Sequence, residues 1–461
     1  MGSVMTELSQ KLQARHVNMI ALGGSIGTGI FLASGYAIAI GGPGGALLAY
    51  ILMAIVVYFL MTSLGEMSTY KPSSGTFCEY SNLYVGKSFG FAMGYNYWLN
   101  WAITIAAEIS AAAIIMNFWF PEINGAIFSI IIFIAIFIFN IFSVRVYGEV
   151  EYGLSLMKVT VIILFIILGL IALGHKPHFG GDNWHIVGAP FHNGFLGFLT
   201  VFLFAGFSFQ GSELVGVAAG ETHEPKKNIP RSIKRVFWRL CLFYILSIGI
   251  ISLLIPYTDP RLLNQDNVSM SPYTLIFQIY LSHYAASFIN LVILVAVLSA
   301  ANASMYSSTR IMWYLAKTKQ APKKFAQLNS MSVPFYALLI TALIGSLVFI
   351  SSYVGNGVLF SYLVQISSLS GFIAWFGIAL SHYKFRKNYL PQHGGLNSLI
   401  YKAKFYPWAQ ILSMIFIIFI ISAQFVTLNS TGNTFWSLIM VYSSVILYFL
   451  LYFGHKLFAR K

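Results

Sequence analysis

Charge is what this chain has least of. Only 9% of its 461 residues are Asp, Glu, Lys or Arg, where soluble domains carry roughly 25%. With 58% hydrophobic residues and a mean hydropathy of +0.76, that scarcity excludes an ordinary water-soluble fold. Cysteine is nearly missing: Cys78 and Cys241 lie near expected cytoplasmic helix ends and imply no disulfide framework. No Gly-rich loop ends in Gly-Lys-Ser/Thr, which argues against an ATP-driven pump. The ten histidines scatter through loops and helix ends, and no His/Cys pair has metal-ligand spacing. No nucleophile–base constellation is visible, so an enzyme is not expected. The stretch Met1 to Arg15 is polar and the apolar run behind it continues as a full span, so no cleavable signal peptide is expected.

What is present is a succession of long apolar runs, each near the roughly 20 residues that a spanning helix needs. Twelve spans are expected, over 16–40, 44–69, 88–119, 125–142, 153–174, 194–219, 234–255, 273–302, 333–351, 357–380, 406–425 and 434–455. They fill the chain as one domain, 1–461. The net charge of +14 resides in short connections such as Lys226 to Arg235 and Lys317 to Lys324. These are too short for a nucleic-acid-binding domain, so no nucleic acid partner is expected. The basic connections alternate: one side collects nearly all Lys and Arg, the other only Lys176 and Arg261 beside Glu122, Asp182, Asp259 and Asp266. The positive-inside rule then puts both termini in the cytoplasm, which requires an even number of spans.

Two spans are built oddly for helices. The first reads Ala21-Leu22-Gly23-Gly24-Ser25-Ile26-Gly27-Thr28-Gly29-Ile30-Phe31, and the sixth reads Phe204-Ala205-Gly206-Phe207-Ser208-Phe209-Gln210-Gly211-Ser212-Glu213. Each interior glycine costs about 1 kcal/mol relative to alanine. Close small-residue packing would explain some of them. In the first span, however, they crowd into one turn instead of lining a face. Spans one and six are equivalent if spans 1–5 and 6–10 are two inverted repeats, and interrupted spans in matching positions point to a transporter site near the bilayer midplane. Unwound backbone offers N–H groups to a carboxylate and carbonyls to an ammonium; an α-amino acid carries one of each.

Ionisable groups within the membrane are functional candidates by default. Glu213 follows the sixth-span glycines and is expected to handle substrate or proton, or to pin the turn. Glu108, deep in the third span, either pairs with the side-chain ammonium of a cationic substrate or braces a neighbouring helix. Lys158, early in the fifth span, either snorkels to the interface or is a buried amine whose proton couples to transport. Glu66, at the cytoplasmic end of the second span, is expected to pair at a helix end. Among the aromatics, Tyr97, Trp98 and Trp101 share the third span, and Phe207 is expected to be a gate with non-helical backbone neighbours.

At these residues the chain resembles the amino-acid permeases of the amino acid–polyamine–organocation superfamily. Gly24 to Phe31 looks like that superfamily's first-span signature. Phe207 to Leu214 with Ala218-Ala219-Gly220-Glu221 looks like its sixth span, and Pro225-Lys226-Lys227-Asn228-Ile229-Pro230-Arg231 like its usual cytoplasmic exit. Within it, the chain is similar to bacterial lysine-specific permeases through Tyr58 to Glu66, Asn96 to Ala102, Ile255 to Pro260 and Ser370 to Trp375 with Ser381-His382-Tyr383. Related basic-amino-acid permeases share part of the last motif, so arginine and histidine stay open. Glu108 stands where lysine-specific relatives are expected to carry aspartate, and permeases for aromatic amino acids also show glutamate there.

The resemblance implies an all-α integral membrane protein with a LeuT-like 5+5 inverted repeat, broken helices 1 and 6, and two appended helices. It implies a substrate carboxylate at the amides of Thr28 and Gly29. It implies an α-amino group at carbonyls near Gly24 and Ser25, with Ile26 and Gly27 in the same unwound turn, and around Phe204, Ala205 and Phe207. Tyr97 and Trp101 would approach the substrate side chain, Glu213 would sense protons, and Lys158 would stand where sodium relatives bind their ion. The expected activity is proton-driven import of a basic amino acid, lysine first, across the cytoplasmic (inner) membrane. No cofactor beyond the proton gradient is expected, and no partner beyond substrate and membrane lipid. An exchanger would use the same broken helices; a flux-free amino-acid sensor would need a signalling domain that the sequence does not offer.

Overall fold

The computed structural model describes residues 25–73, 75–141, 144–214, 225–263, 271–430 and 435–458. Every regular element among them is helical. Apolar runs fold this way because a helix satisfies its own N–H and C=O groups where water is absent. The main elements are α1 (Ser34–Tyr70), α2 (Lys87–Met116), α3 (Gly125–Asn140), α4 (Val144–Gly174), α5 (Gly194–Phe209), α6 (Pro225–Leu254) and α7 (His283–Lys317). Five more follow: α8 (Phe335–Gly345), α9 (Asn356–Lys384), α10 (Trp408–Ser430), α11 (Phe435–Val441) and α12 (Ser443–Phe458). Among the described residues, eight helical stretches are long and apolar enough to cross a membrane. A ninth is the α11–α12 pair, bent by 60°, and α3 and α5 are shorter apolar helices.

The centre of the molecule is α2. It packs against α7 on one side and α9 on another, while α1 packs against α5 and α6. From Asn100 to Ile115, α2 is buried without interruption, the pattern of a helix enclosed on every side. Its run of small residues, Ala106, Ala107, Ala111, Ala112 and Ala113, lets the neighbours approach closely. The outer helices turn apolar side chains outward instead: Ile131, Leu170, Ile415 and Leu450 are all exposed.

Helix ends follow local chemistry. The first two expected spans run together as Gly29–Tyr70 with a corner at Gly42–Pro43. Gly42 takes φ +73°, and a Cβ there would meet the Pro190 carbonyl oxygen at 2.5 Å. That same carbonyl accepts from the amides of Gly44 at 2.9 Å and Gly45 at 3.3 Å, which satisfies donors freed by the corner. The expected eighth span, 273–302, is corrected by the structure. A short helix, Pro272–Tyr280, ends before Leu281, and α7 begins anew at His283. Ser282, extended at φ −166°, caps it by accepting from the Ala285 amide. α7 also continues well past 302, because polar residues beyond that point find partners; Ser308 donates to the Trp98 carbonyl at 2.9 Å.

Glu66 pairs at a helix end, as its position predicts. Fully buried, it accepts from Arg386 Nε at 2.6 Å and from Arg386 Nη2. It also bonds His382 Nε2 at 3.0 Å and the Ala403 amide at 2.5 Å. One carboxylate thus ties α1 to α9 and to the segment before α10.

Gly42→Ala should lower thermal stability in detergent by roughly 1–3 kcal/mol, because alanine must adopt a left-handed backbone against a fixed carbonyl. Gly45→Ala, whose Cβ would meet only Phe191 Cδ1 at 3.6 Å, should leave the melting midpoint unchanged. Equal midpoints for both variants would remove this account of the corner.

Candidate functional site

The first glycine-rich segment is described from Ser25 onward; Gly24 lies outside the described residues. Ser25, Ile26, Gly27, Thr28 and Gly29 are all buried, the chain bends at Ile26–Gly27, and a π-helical turn follows at Gly29–Ala33. Two of these glycines are required by close approach. A Cβ on Gly29 would lie 2.5 Å from Ser208 Cα, and one on Gly27 would lie 2.7 Å from Glu108 Oε1. The first segment therefore touches α5 at Ser208 and α2 at Glu108.

The sixth-span interruption falls later than the glycine pattern predicts. α5 is helical through Phe209; its C-cap Gln210 is extended (φ −60°, ψ 147°) and Gly211 takes φ +94°. The backbone around Phe207 is thus helical, not interrupted. The carbonyls expected to be free are engaged: the Gln210 amide donates to Gly206 O at 3.1 Å and Phe207 O at 3.2 Å, and Ser208 Oγ donates to Phe204 O at 2.8 Å. Gly206 serves packing instead, since a Cβ there would meet the Phe372 ring at 2.4 Å. Phe204 and Ala205 are buried in the same helix, Phe204 edge-on to Tyr36 at 4.7 Å.

One residue missing from the sequence reading joins the two segments. Tyr244 on α6 donates its hydroxyl to Ser25 O at 2.6 Å and to Ser208 O at 2.7 Å. It carries a single hydrogen, which the two carbonyls share. Tyr50 on α1 bonds Ser208 Oγ at 2.8 Å and stacks edge-on to Tyr244 at 6.4 Å. The signal was there in part: a tyrosine deep in an apolar run brings a hydroxyl that must find a partner.

Two carboxylates stand at the ends of this junction. Glu108, buried on α2, accepts from Thr28 Oγ1 at 3.1 Å and from the Thr28 amide at 3.4 Å to each oxygen. It braces the first segment through the amide expected to meet a substrate carboxylate. Glu213, just past Gly211, accepts from the Tyr97 hydroxyl at 3.2 Å and from Trp375 Nε1 at 3.4 Å. Tyr97 in turn packs on Phe77 at 4.5 Å and Trp101 at 6.0 Å. The structure therefore brings Tyr97, Trp101 and Glu213 together, and separately Thr28 with Glu108. Between them runs a further network: Gln210 accepts from Asn100 Nδ2 at 3.2 Å and donates to Ser367 O at 3.2 Å, and Ser367 donates to Asn100 Oδ1 at 2.8 Å. These three uncharged polar residues carry no signature in sequence that marks them as one cluster.

Lys158, on α4, does not snorkel: it is 1% exposed and lies 3.9 Å from Glu151, with Glu108 also within electrostatic reach. Glu151 falls just before the expected start of the fifth span, where hydropathy does not mark it as intramembrane. Cys78 and Cys241 are free and buried.

Comparison with known proteins places the chain among transporters of amino acids. The model of the family described as "Amino acid permease" matches residues 16–461. The lysine-specific permease LysP of Escherichia coli is 47% identical over 458 residues, covering 98% of this chain and 94% of that protein. LysP of Lactococcus lactis is 45% identical over 460 residues, covering 98% and 90%. The histidine permease HisP of L. lactis is 44% identical over 460 residues, covering 98% and 95%.

Tyr244→Phe should cost about 1–3 kcal/mol of stability in detergent, because it leaves buried carbonyls at both segments short of a donor. Tyr50→Phe should cost less, since Ser208 Oγ keeps its bond to Phe204 O. The reverse order in a thermal-shift measurement would count against Tyr244 as the joint between the segments.

Proposed function

The chain belongs to the amino acid permease family, and on that premise we propose that it imports a basic amino acid, lysine first, by proton symport across the cytoplasmic membrane. The observation that carries the reading is the junction at Gly29 and Ser208, where the irregular turn before Gly29 lies against the last turn of α5, with Tyr244 bonding both segments and Glu108 bonding Thr28. In this reading the substrate carboxylate takes the amides of Thr28 and Gly29, displacing Glu108 from Thr28. The α-ammonium takes the carbonyls of Ser25 and Ser208, which the Tyr244 hydroxyl holds side by side. Tyr97 and Trp101 approach the substrate side chain and Phe207 closes over it. Glu213 and Lys158 change protonation as the site alternates between the two sides.

The architecture proposed for this cycle has twelve spans. Gly29–Tyr70 supplies the outer part of the first span and the second, divided at Gly42, and α5 supplies the first half of the sixth. Spans 1–5 and 6–10 form two inverted repeats that rock against each other, with α10 and the α11–α12 pair appended. Both termini face the cytoplasm on the charge pattern, and the exposed apolar faces of α3, α4, α10 and α12 contact lipid. The relatives named lysine-specific permease support lysine; the 44% identity to a histidine permease favours histidine as the second candidate.

The test is uptake of labelled lysine into proteoliposomes with and without an inward proton gradient, in competition with other amino acids. Accumulation driven by the gradient and blocked mainly by lysine is expected. Blocking mainly by histidine would move the substrate, and uptake only into vesicles preloaded with an amino acid or polyamine would make the protein an exchanger. Glu213→Gln should flatten the pH dependence of gradient-driven uptake; an unaltered pH profile would remove Glu213 from proton handling.

A further inference from the structure

Glu151, Ser155 and Lys158 recur at i, i+4 and i+7, and so share one face of α4. Long side chains on a helix lean toward its N-terminus, and Lys158 accordingly reaches back to within 3.9 Å of Glu151 Oε1. That oxygen also accepts from Ser299 on α7 at 2.7 Å and from Ser155 at 3.3 Å. The other oxygen, Oε2, is buried and makes no hydrogen bond among the described residues. The contrast with Glu66 is informative. A carboxylate that only braces has both oxygens engaged, by Arg386, His382 and the Ala403 amide. Glu151 keeps one buried oxygen outside any protein hydrogen bond among the described residues, at a cost that a purely structural pair has no reason to carry.

Lys158 is the ion-pair partner of Glu151, and Glu108 of α2 lies within electrostatic reach of Lys158. Lys158 therefore has one carboxylate beside the substrate segment and another nearer the α4 N-terminus, the end that the charge pattern puts toward the cytoplasm. We propose that Glu151 is the proton-exit group, taking the proton that Lys158 gives up and passing it to the cytoplasm. This inference rests on the proton-symport reading above and on its orientation. In the step, an N–H bond of the Lys158 ammonium breaks and an O–H bond forms on Glu151, leaving a neutral amine and a neutral acid. The acid then releases its proton to cytoplasmic water and returns to carboxylate, and Lys158 is reprotonated from the outward-facing site. The present 3.9 Å separation exceeds hydrogen-bond reach by about 1 Å, so transfer waits on a side-chain movement and the proton does not leak in this conformation.

The experiment compares net lysine uptake driven by a proton gradient with lysine–lysine counterflow, which needs no proton release, using the full chain in proteoliposomes. Glu151→Gln should lose net uptake by more than about tenfold while counterflow stays within about twofold, and Glu151→Asp should keep both. Net uptake by Glu151→Gln equal to wild type overturns the proposal. A parallel loss of net uptake and counterflow also overturns it, because Glu151 would then be a brace. Should Glu151→Gln fail to fold, Ser299→Ala decides: loss of the 2.7 Å donor should shift the pH profile of net uptake without changing counterflow, and an unshifted profile overturns the relay. Wild-type protein without gradient-driven uptake removes the symport reading together with this inference, whereas a coupled wild type with a coupled Glu151→Gln removes the inference alone.

Discussion

A helix interrupted inside a membrane frees N–H and C=O groups that no water can satisfy, and the interior of this protein is organised around meeting that demand at two adjoining places. The Tyr244 hydroxyl reaches the carbonyls of Ser25 and Ser208, and the Glu108 carboxylate reaches the amide and hydroxyl of Thr28. Both partners come from helices that are themselves firmly packed, α6 against α1 and α2 against α7 and α9. The interrupted segments are thus held by rigid neighbours through long-range polar contacts. Such contacts can be exchanged for those of a ligand without unfolding the helices that supply them.

Buried carboxylates divide into two kinds by how completely they are engaged. Glu66 is saturated with donors and ties α1, α9 and the segment before α10 into a frame. Glu108 and Glu151 are more sparsely held, by Thr28 and by Lys158 with two serines. A charge removed from water is costly unless paired and hydrogen-bonded, so sparse engagement marks groups whose partners can change. The two sparse carboxylates lie on α2, which bonds the first segment at Thr28, and on α4, while Glu66 lies at the far end of α1.

Much of this was legible in sequence where the signal is local. The apolar run beginning at 88 matches a helix that begins at Lys87, and the Gly42–Pro43 corner falls in the gap expected between 40 and 44. The helix-end role of Glu66 and the burial of Glu108 and Glu213 followed from their positions in apolar runs. What failed depended on tertiary context. Gly206 and Gly211 look alike in sequence, yet one accommodates the Phe372 ring and the other takes a left-handed turn, which moved the interruption away from Phe207. Ser282 restarts a helix inside an apolar run that hydropathy reads as continuous. Tyr244 and Tyr50 act through contacts with segments distant in the chain, and Glu151 fell just beyond an expected helix end.

The claim on which the account stands is that the interrupted backbone reads the α-carboxylate and α-ammonium of an amino acid. Calorimetric binding of lysine and of 1,5-diaminopentane, which keeps both amines and lacks the carboxylate, to the purified protein tests it most directly. The account predicts that the diamine binds more weakly by more than about tenfold, the worth of one or more charge-assisted hydrogen bonds. Equal affinity for the two would contradict it, since the amides at Thr28 and Gly29 would then not be reading the ligand.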